Sequence, residues 1–234
     1  MQLEINNDMS QRVVMYPIDA SEFVASPLPG VWRRMLDREG AESGRATSIV
    51  RYEPNSTFSR HVHGGGEEIL VLEGIFSDEH GDYGPGTYLR HPPGSSHAPF
   101  SENGCLLFVK LWQFSPTDQT VMTLDTRSQP WLPGLVPGLS VMPLHEHDGV
   151  STALVRWAPH TQFSRHRHAG GEEILVLEGE FADDKGVYPA GSWIRSPRWS
   201  EHAPFTTGQG ALIYVKVGHI GATTVALPPR KAAA

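Results

Sequence analysis

The sequence predicts an all-β chain built as two tandem antiparallel barrels or jelly rolls, and three observations predict it. Residues 60–100 return as residues 165–205, with 25 of 41 positions identical and no gap in a chain of 234 residues. The two copies stand 105 residues apart, close to the size of an ordinary single domain, so the repeat divides the chain into two domains. The apolar runs are short: Ile69-Leu70-Val71-Leu72 and Leu106-Leu107-Phe108-Val109 in the first copy, Ile174-Leu175-Val176-Leu177 and Leu212-Ile213-Tyr214-Val215 in the second. Runs of this length, rich in β-formers, suit buried strands and are too short for helices. The third observation is 24 Gly and 19 Pro, more breakers than a long-helix protein tolerates.

In chain order, residues 1–11 are polar and lack the apolar stretch of a signal peptide. A helical turn or two is expected near Asp19–Val24. Pro29-Gly30-Val31 and Pro137-Gly138-Leu139 mark equivalent entries into the two barrels. Turns are expected at 81–86, 92–94, 189–191 and 208–210, where Gly and Pro cluster. The expected organisation is a first barrel with its N-terminal extension over 1–115, a connection over 116–136, a second barrel over 137–227 and a frayed tail over 228–234.

Composition narrows the function. A net charge of −7 without any Lys/Arg-rich run argues against nucleic acid. No apolar run approaches the ~20 residues that span a bilayer, so no membrane partner and a cytoplasmic location are expected. Cys105 is the only cysteine, which excludes an intramolecular disulfide and a cysteine-rich zinc module; it reads as a small buried thiol whose counterpart is Ala211.

The chemistry lies in the repeated words Arg60-His61-Val62-His63-Gly64-Gly65-Gly66-Glu67-Glu68 and Arg165-His166-Arg167-His168-Ala169-Gly170-Gly171-Glu172-Glu173, each followed by a distant histidine, His97 or His202. Alternate side chains of a strand share a face, so His61 and His63 point together. Glu67 keeps their parity if the glycines do not bulge, which makes Glu67 and Glu172 the expected ligands. Glu68 and Glu173 then face outward or support the ligands from behind. Each copy thus predicts one metal site: His61, His63, Glu67 and His97, then His166, His168, Glu172 and His202. Three imidazoles and one carboxylate suit Zn(II), Fe(II), Mn(II), Co(II) or Ni(II). A tetrahedral ion would be closed by these four groups, whereas an octahedral one would keep two positions open.

His145 and His147 lack a matching Glu and distant His and read as a solvent-facing strand. His80, His91, His160 and His219 read as loop or surface residues. Beside the sites, His91-Pro92-Pro93-Gly94-Ser95-Ser96 becomes Ser196-Pro197-Arg198-Trp199-Ser200-Glu201, so the second mouth gains an aromatic, a cation and a carboxylate. Aligned Phe58/Phe163, Tyr83/Tyr188 and Arg90/Arg195 are candidate pocket residues.

The pattern His-x-His-x3-Glu-x6-Gly with a distant His resembles the metal motif of the cupin superfamily, and both copies carry it. The wording around it, including Phe76-Ser77-Asp78-Glu79-His80-Gly81-Asp82-Tyr83 and Gly86-Thr87-Tyr88-Leu89-Arg90, is similar to the cupin-like domain of ChrR-type anti-sigma factors. The resemblance covers roughly residues 30–112 and 137–217. It implies two cupin barrels (double-stranded β-helices), zinc held by the residues named above, and a sensing or regulatory role in the response to oxidative stress. In that family anti-sigma activity belongs to a separate helical domain with its own His/Cys motif, which this sequence lacks, so direct sigma-factor binding is not expected. The alternative is a non-heme metal-dependent enzyme of dioxygenase type acting on a small organic substrate. A small-molecule ligand and a homodimer are compatible with either reading.

Overall fold

The structure, a computed structural model, describes residues 4–17, 22–40 and 44–226. The chain divides into two units. One comprises residues 22–127 with 4–7 and 223–226; the other comprises 128–222 with 8–17. No α-helix occurs among the described residues. Half of the helical turn expected near Asp19–Val24 lies outside them; of the rest, Glu22 is in a 3-10 turn and Val24 opens the short strand Val24–Ala25. The tail over 228–234 lies outside them as well.

In the first unit a seven-stranded antiparallel sheet runs in the order Met122–Asp125, Thr87–His91, Glu67–Gly74, Cys105–Leu111, Ala46–Tyr52, Val31–Arg38, Val24–Ala25. Smaller pairings complete the barrel: a four-stranded group built around Phe76–Asp78, and His61–Val62 paired with Ser96–His97. Odd-numbered residues of the central strands, among them Ile69, Val71, Leu107 and Val109, face one core together with Val31, Val50, Leu89 and Phe76. Glu67 shares their parity and so enters the same interior.

The second unit repeats the plan. Its large sheet runs Val13–Met15, Trp193–Ser196, Glu172–Asp183, Phe205–Val217, Val150–Trp157, Leu139–His147, Leu132–Pro133, over a core that includes Ile174, Val176, Phe181, Ile194 and Ile213. The stretch 116–136 therefore contributes Met122–Asp125 to the first sheet and Leu132–Pro133 to the second. The edge of the second sheet comes from the start of the chain, with Val13 opposite Arg195 and Met15 opposite Trp193.

The glycine that closes each Glu-Gly word is dictated by close approach. Gly74 and Gly179 have φ of +70° and +69°. A Cβ there would stand 2.1 and 2.2 Å from the carbonyl oxygens of Gly104 and Gly210, so no side chain fits.

Candidate metal centres

His61 and His63 lie on either side of the exposed Val62, as strand alternation requires, and His97 returns opposite His61 on the neighbouring strand. The glycines at 64–66 do not continue the strand; they form a turn, with Gly66 at φ +78°. Glu67 thus reaches His63 by chain reversal and not by the unbroken parity the sequence suggested. The second copy does the same through Gly171 at φ +72°.

In the first unit the Glu67 carboxylate stands 3.4 Å from His63 Nε2 and 3.4 Å from His97 Nε2. The His61 ring lies 4.8 Å from that of His63 and 5.1 Å from that of His97. His61 Nδ1 is 3.0 Å from the carbonyl oxygen of Ser59, and His97 Nδ1 is 3.1 Å from Asp78 Oδ2. Both partners only accept, so these Nδ1 atoms carry the protons and their Nε2 atoms are bare lone pairs. His63 Nε2 and His97 Nε2 are buried without any hydrogen-bond partner. Buried acceptors left in this way are costly, and a cation among them removes the cost.

The second unit converges more tightly. His202 Nε2 lies 3.1 Å from His168 Nε2 and 3.2 Å from His166 Nε2. Glu172 approaches His168 at 3.3 Å and His202 at 3.6 Å. His166 Nδ1 donates to the Ser164 carbonyl oxygen at 2.9 Å, which leaves its Nε2 an acceptor facing other imidazole nitrogens. Burial drives the protonated form of His168 down to about 4, with His202 and His166 adding to the push; burial does the same to His63, also to about 4. Neutral imidazoles aimed at a common point beside a carboxylate are what a divalent ion of borderline softness needs. The ligand atoms that lie within 4.8 Å of one another are those of His63, Glu67, His91 and His97 in the first unit and of His166, His168 and His202 in the second, with the His61 ring and the Glu172 carboxylate beside them.

The structure adds residues the sequence reading passed over. His91, expected on the surface, is largely buried and donates from Nδ1 to Glu67 Oε2 at 3.2 Å, because its strand pairs it directly opposite Glu67. Its ligand atom joins those of His63, Glu67 and His97 within 4.8 Å of one another. Behind the distant histidines, Asp78 accepts from Tyr83 at 3.0 Å, and Asp183 accepts from Tyr188 at 2.8 Å while lying 3.6 Å from His202 Nδ1. This Tyr–Asp–His arrangement explains the aligned tyrosines and was visible only as repeated letters. In the second unit Arg12 joins it, donating to Tyr188 at 2.6 Å and approaching Asp183 at 3.4 Å.

Glu68 and Glu173 do face away from the clusters, but they are buried and not outward. Arg90 donates to Glu68 at 3.2 Å, and Trp193 donates to Glu173 at 2.9 Å. His219, expected on the surface, is buried 3.0 Å from Glu173. His145 and His147 are half-buried with stacked rings, whereas His80 and His160 are exposed as expected.

The carboxylates of the two clusters differ. Burial pulls Glu67 upward, but His63 and the His91 hydrogen bond outweigh it and hold the group at about 2. Burial raises Glu172 to about 7, with Asp183 adding to the rise against His202 and Arg12. His61, His63, Glu67 and His97 also line a cavity of about 430 Å³ whose remaining wall is mainly apolar.

The family pattern of the ChrR cupin-like domain matches residues 11–115 and again residues 119–221. The chain belongs to the ChrR cupin-like family. As expected for a cupin repeated in tandem, its fold resembles that of other cupin proteins of similar length. A protein of Nostoc punctiforme provisionally described as a dioxygenase superposes with a TM-score of 0.69 at 15% identity, over 98% of this chain and 87% of that one. A provisionally described glyoxylate-induced protein of Pseudomonas aeruginosa gives 0.72 at 14% identity, over 92% and 90%. Oxalate decarboxylase of Bacillus subtilis, a protein with Mn(II) centres, gives 0.61 at 15% identity, over 92% and 80%. No curated protein matches the chain by sequence. No helix among the described residues is long and apolar enough to cross a membrane.

Proposed function

We propose that this cupin protein binds two divalent metal ions, zinc foremost, and that the loaded protein serves a sensing or regulatory role in stress response. The first ion is held by His61, His63, Glu67 and His97, the second by His166, His168, Glu172 and His202. The observation that carries the reading is the set of buried, unpartnered imidazole nitrogens of His63 and His97, matched in the second barrel by three Nε2 atoms that face each other. Zinc bound by all four groups would have a closed shell, which suits sensing or structural work. The chain's own contribution is orientation: Asp78 and Ser59 fix which nitrogens of His97 and His61 are bare, and Asp183 and Ser164 stand in the same places behind His202 and His166.

A second reading has its own support in the cavity beside the first cluster. An ion there with more than four positions would act as a Lewis acid toward a small organic molecule, as in a metal-dependent enzyme. Elemental analysis of untagged protein purified without added metal separates the two. About two zinc ions per chain without oxygen uptake or turnover supports the regulatory reading; iron or manganese accompanied by oxygen uptake supports the enzyme. Metal-free protein that refuses zinc overturns both.

A further inference from the structure

The two barrels exchange a tryptophan and a glycine at two equivalent backbone positions. The N–H of Trp112 donates to the Gly66 carbonyl at 3.2 Å, and that of Gly218 donates to the Gly171 carbonyl at 3.1 Å, so Trp112 and Gly218 occupy the same place. Likewise Gly94 donates to His63 O at 2.9 Å and Trp199 to His168 O at 2.7 Å. Both glycines have positive φ, +85° at Gly218 and +88° at Gly94, and both tryptophans adopt it too, at +59° and +64°. A bulky residue in the left-handed region is an outlier that the surroundings must hold in place.

At Trp112 the reason is visible. Its indole covers the turn beside His63 so closely that a Cβ on Gly64 or Gly65 would stand 2.9 or 2.3 Å from ring atoms. The same ring lines the 430 Å³ cavity, together with Val50, Ile69, Leu107 and Val109 and the four residues of the first cluster. That volume falls in the range of about 300–1,000 Å³ of ordinary small-molecule sites, which are mostly apolar with a few convergent polar groups. The charge balance at the polar end is also set. A divalent ion with three neutral imidazoles and one carboxylate keeps one net positive charge, the Arg33 and Arg38 side chains also line the cavity, and burial beside an apolar wall favours an anionic ligand.

We propose that the first barrel binds a small carboxylate with an apolar body, its head group at the metal cluster and its body against the wall that Trp112 completes. This rests on the reading that the first cluster holds a divalent metal. Trp112 determines specificity by contact with the body, and Gly218 leaves the second barrel without that contact.

The test uses the full chain with the second cluster disabled by His166→Ala and His202→Ala, loaded with Co(II). Cobalt content and visible spectrum are recorded first, then acetate, butanoate, hexanoate, 3-phenylpropanoate and hexylammonium are titrated. The expected result is a cobalt spectrum perturbed by the acids, with affinity rising about fourfold per added methylene and no response to hexylammonium. Trp112→Gly, which installs the residue that the second barrel carries in this conformation, should retain cobalt and lose roughly tenfold in 3-phenylpropanoate affinity with little change for acetate; Trp112→Phe should keep most of the affinity. Equal affinities from acetate to hexanoate with cobalt bound overturn the proposal, as does an undiminished 3-phenylpropanoate affinity in Trp112→Gly. A protein that takes up no cobalt before any acid is added overturns the metal reading itself, and this proposal with it.

Discussion

The two clusters present the same three imidazoles and one carboxylate, yet the groups around them make different sites. Opposite Glu67 stands His91, which donates a hydrogen bond to it; opposite Glu172 stands Ser196, whose side chain is too short to take that role. Behind His202, Asp183 is answered by Arg12, whereas the corresponding position beside the first sheet is held by the exposed Val121. Before any metal binds, His63 and the His91 hydrogen bond hold Glu67 at about 2 against its burial, whereas burial and the Asp183 charge hold Glu172 at about 7, with His202 and Arg12 pulling the other way. The difference teaches that the ligand motif sets what is bound, while the neighbouring strands set how readily each ligand gives up its proton.

The largest effect that tests this comparison is metal removal. A protein that binds two ions with a thousandfold excess over Kd gains about 4 kcal/mol per site, so chelation should lower Tm by roughly 15–30 °C. His97→Ala and His202→Ala should each abolish one of the two losses, read by calorimetry and metal content together. Melting that is unchanged after verified removal of metal would leave no two metal centres to compare.

Replacing the carboxylates sharpens the contrast in the metal-free protein. Glu67 has its folded pKa depressed, so its contribution is present above its ordinary value of 4.5 and is lost as pH falls toward 2. Glu172 has its folded pKa raised, so its contribution is present below 4.5 and is lost as pH rises through 7. At pH 8, Glu67→Gln should therefore cost about 1–3 kcal/mol, while Glu172→Gln should be neutral or stabilising. Equal losses in thermal melts at that pH would erase the distinction. The smallest effect is at His91. His91→Ser gives the first cluster the neighbour of the second and should weaken zinc there about tenfold, measured by competition with a chelating dye; an unchanged affinity would make His91 a bystander.

Much of this was legible in the letters. The repeat marked two barrels, and the spacing of His61, His63, Glu67 and His97 marked residues that do converge, because strand alternation and a duplicated pattern both survive in one dimension. What escaped depended on register. His91 reads as a loop residue until its strand is laid antiparallel to Glu67. Glu68 and Glu173 face away as parity requires, but parity says nothing of whether the second face of a sheet is covered. Arg12 lies 171 residues from Asp183, too far for any motif to join them. Trp112 gave no signal, since its meaning lies in a backbone conformation that only the matching Gly218 reveals.

The strand Val13–Met15 also sets a timetable. It leaves the ribosome before almost everything else, yet its hydrogen-bonding partners are Trp193, Ile194 and Arg195. At about 5–20 residues per second, it waits on the order of ten to thirty-five seconds with its edge unsatisfied while an entire barrel is translated ahead of its partner. The pairing that waits longest is thus the one whose first half was made earliest, and the second barrel completes that edge of its sheet only by recovering the beginning of the chain.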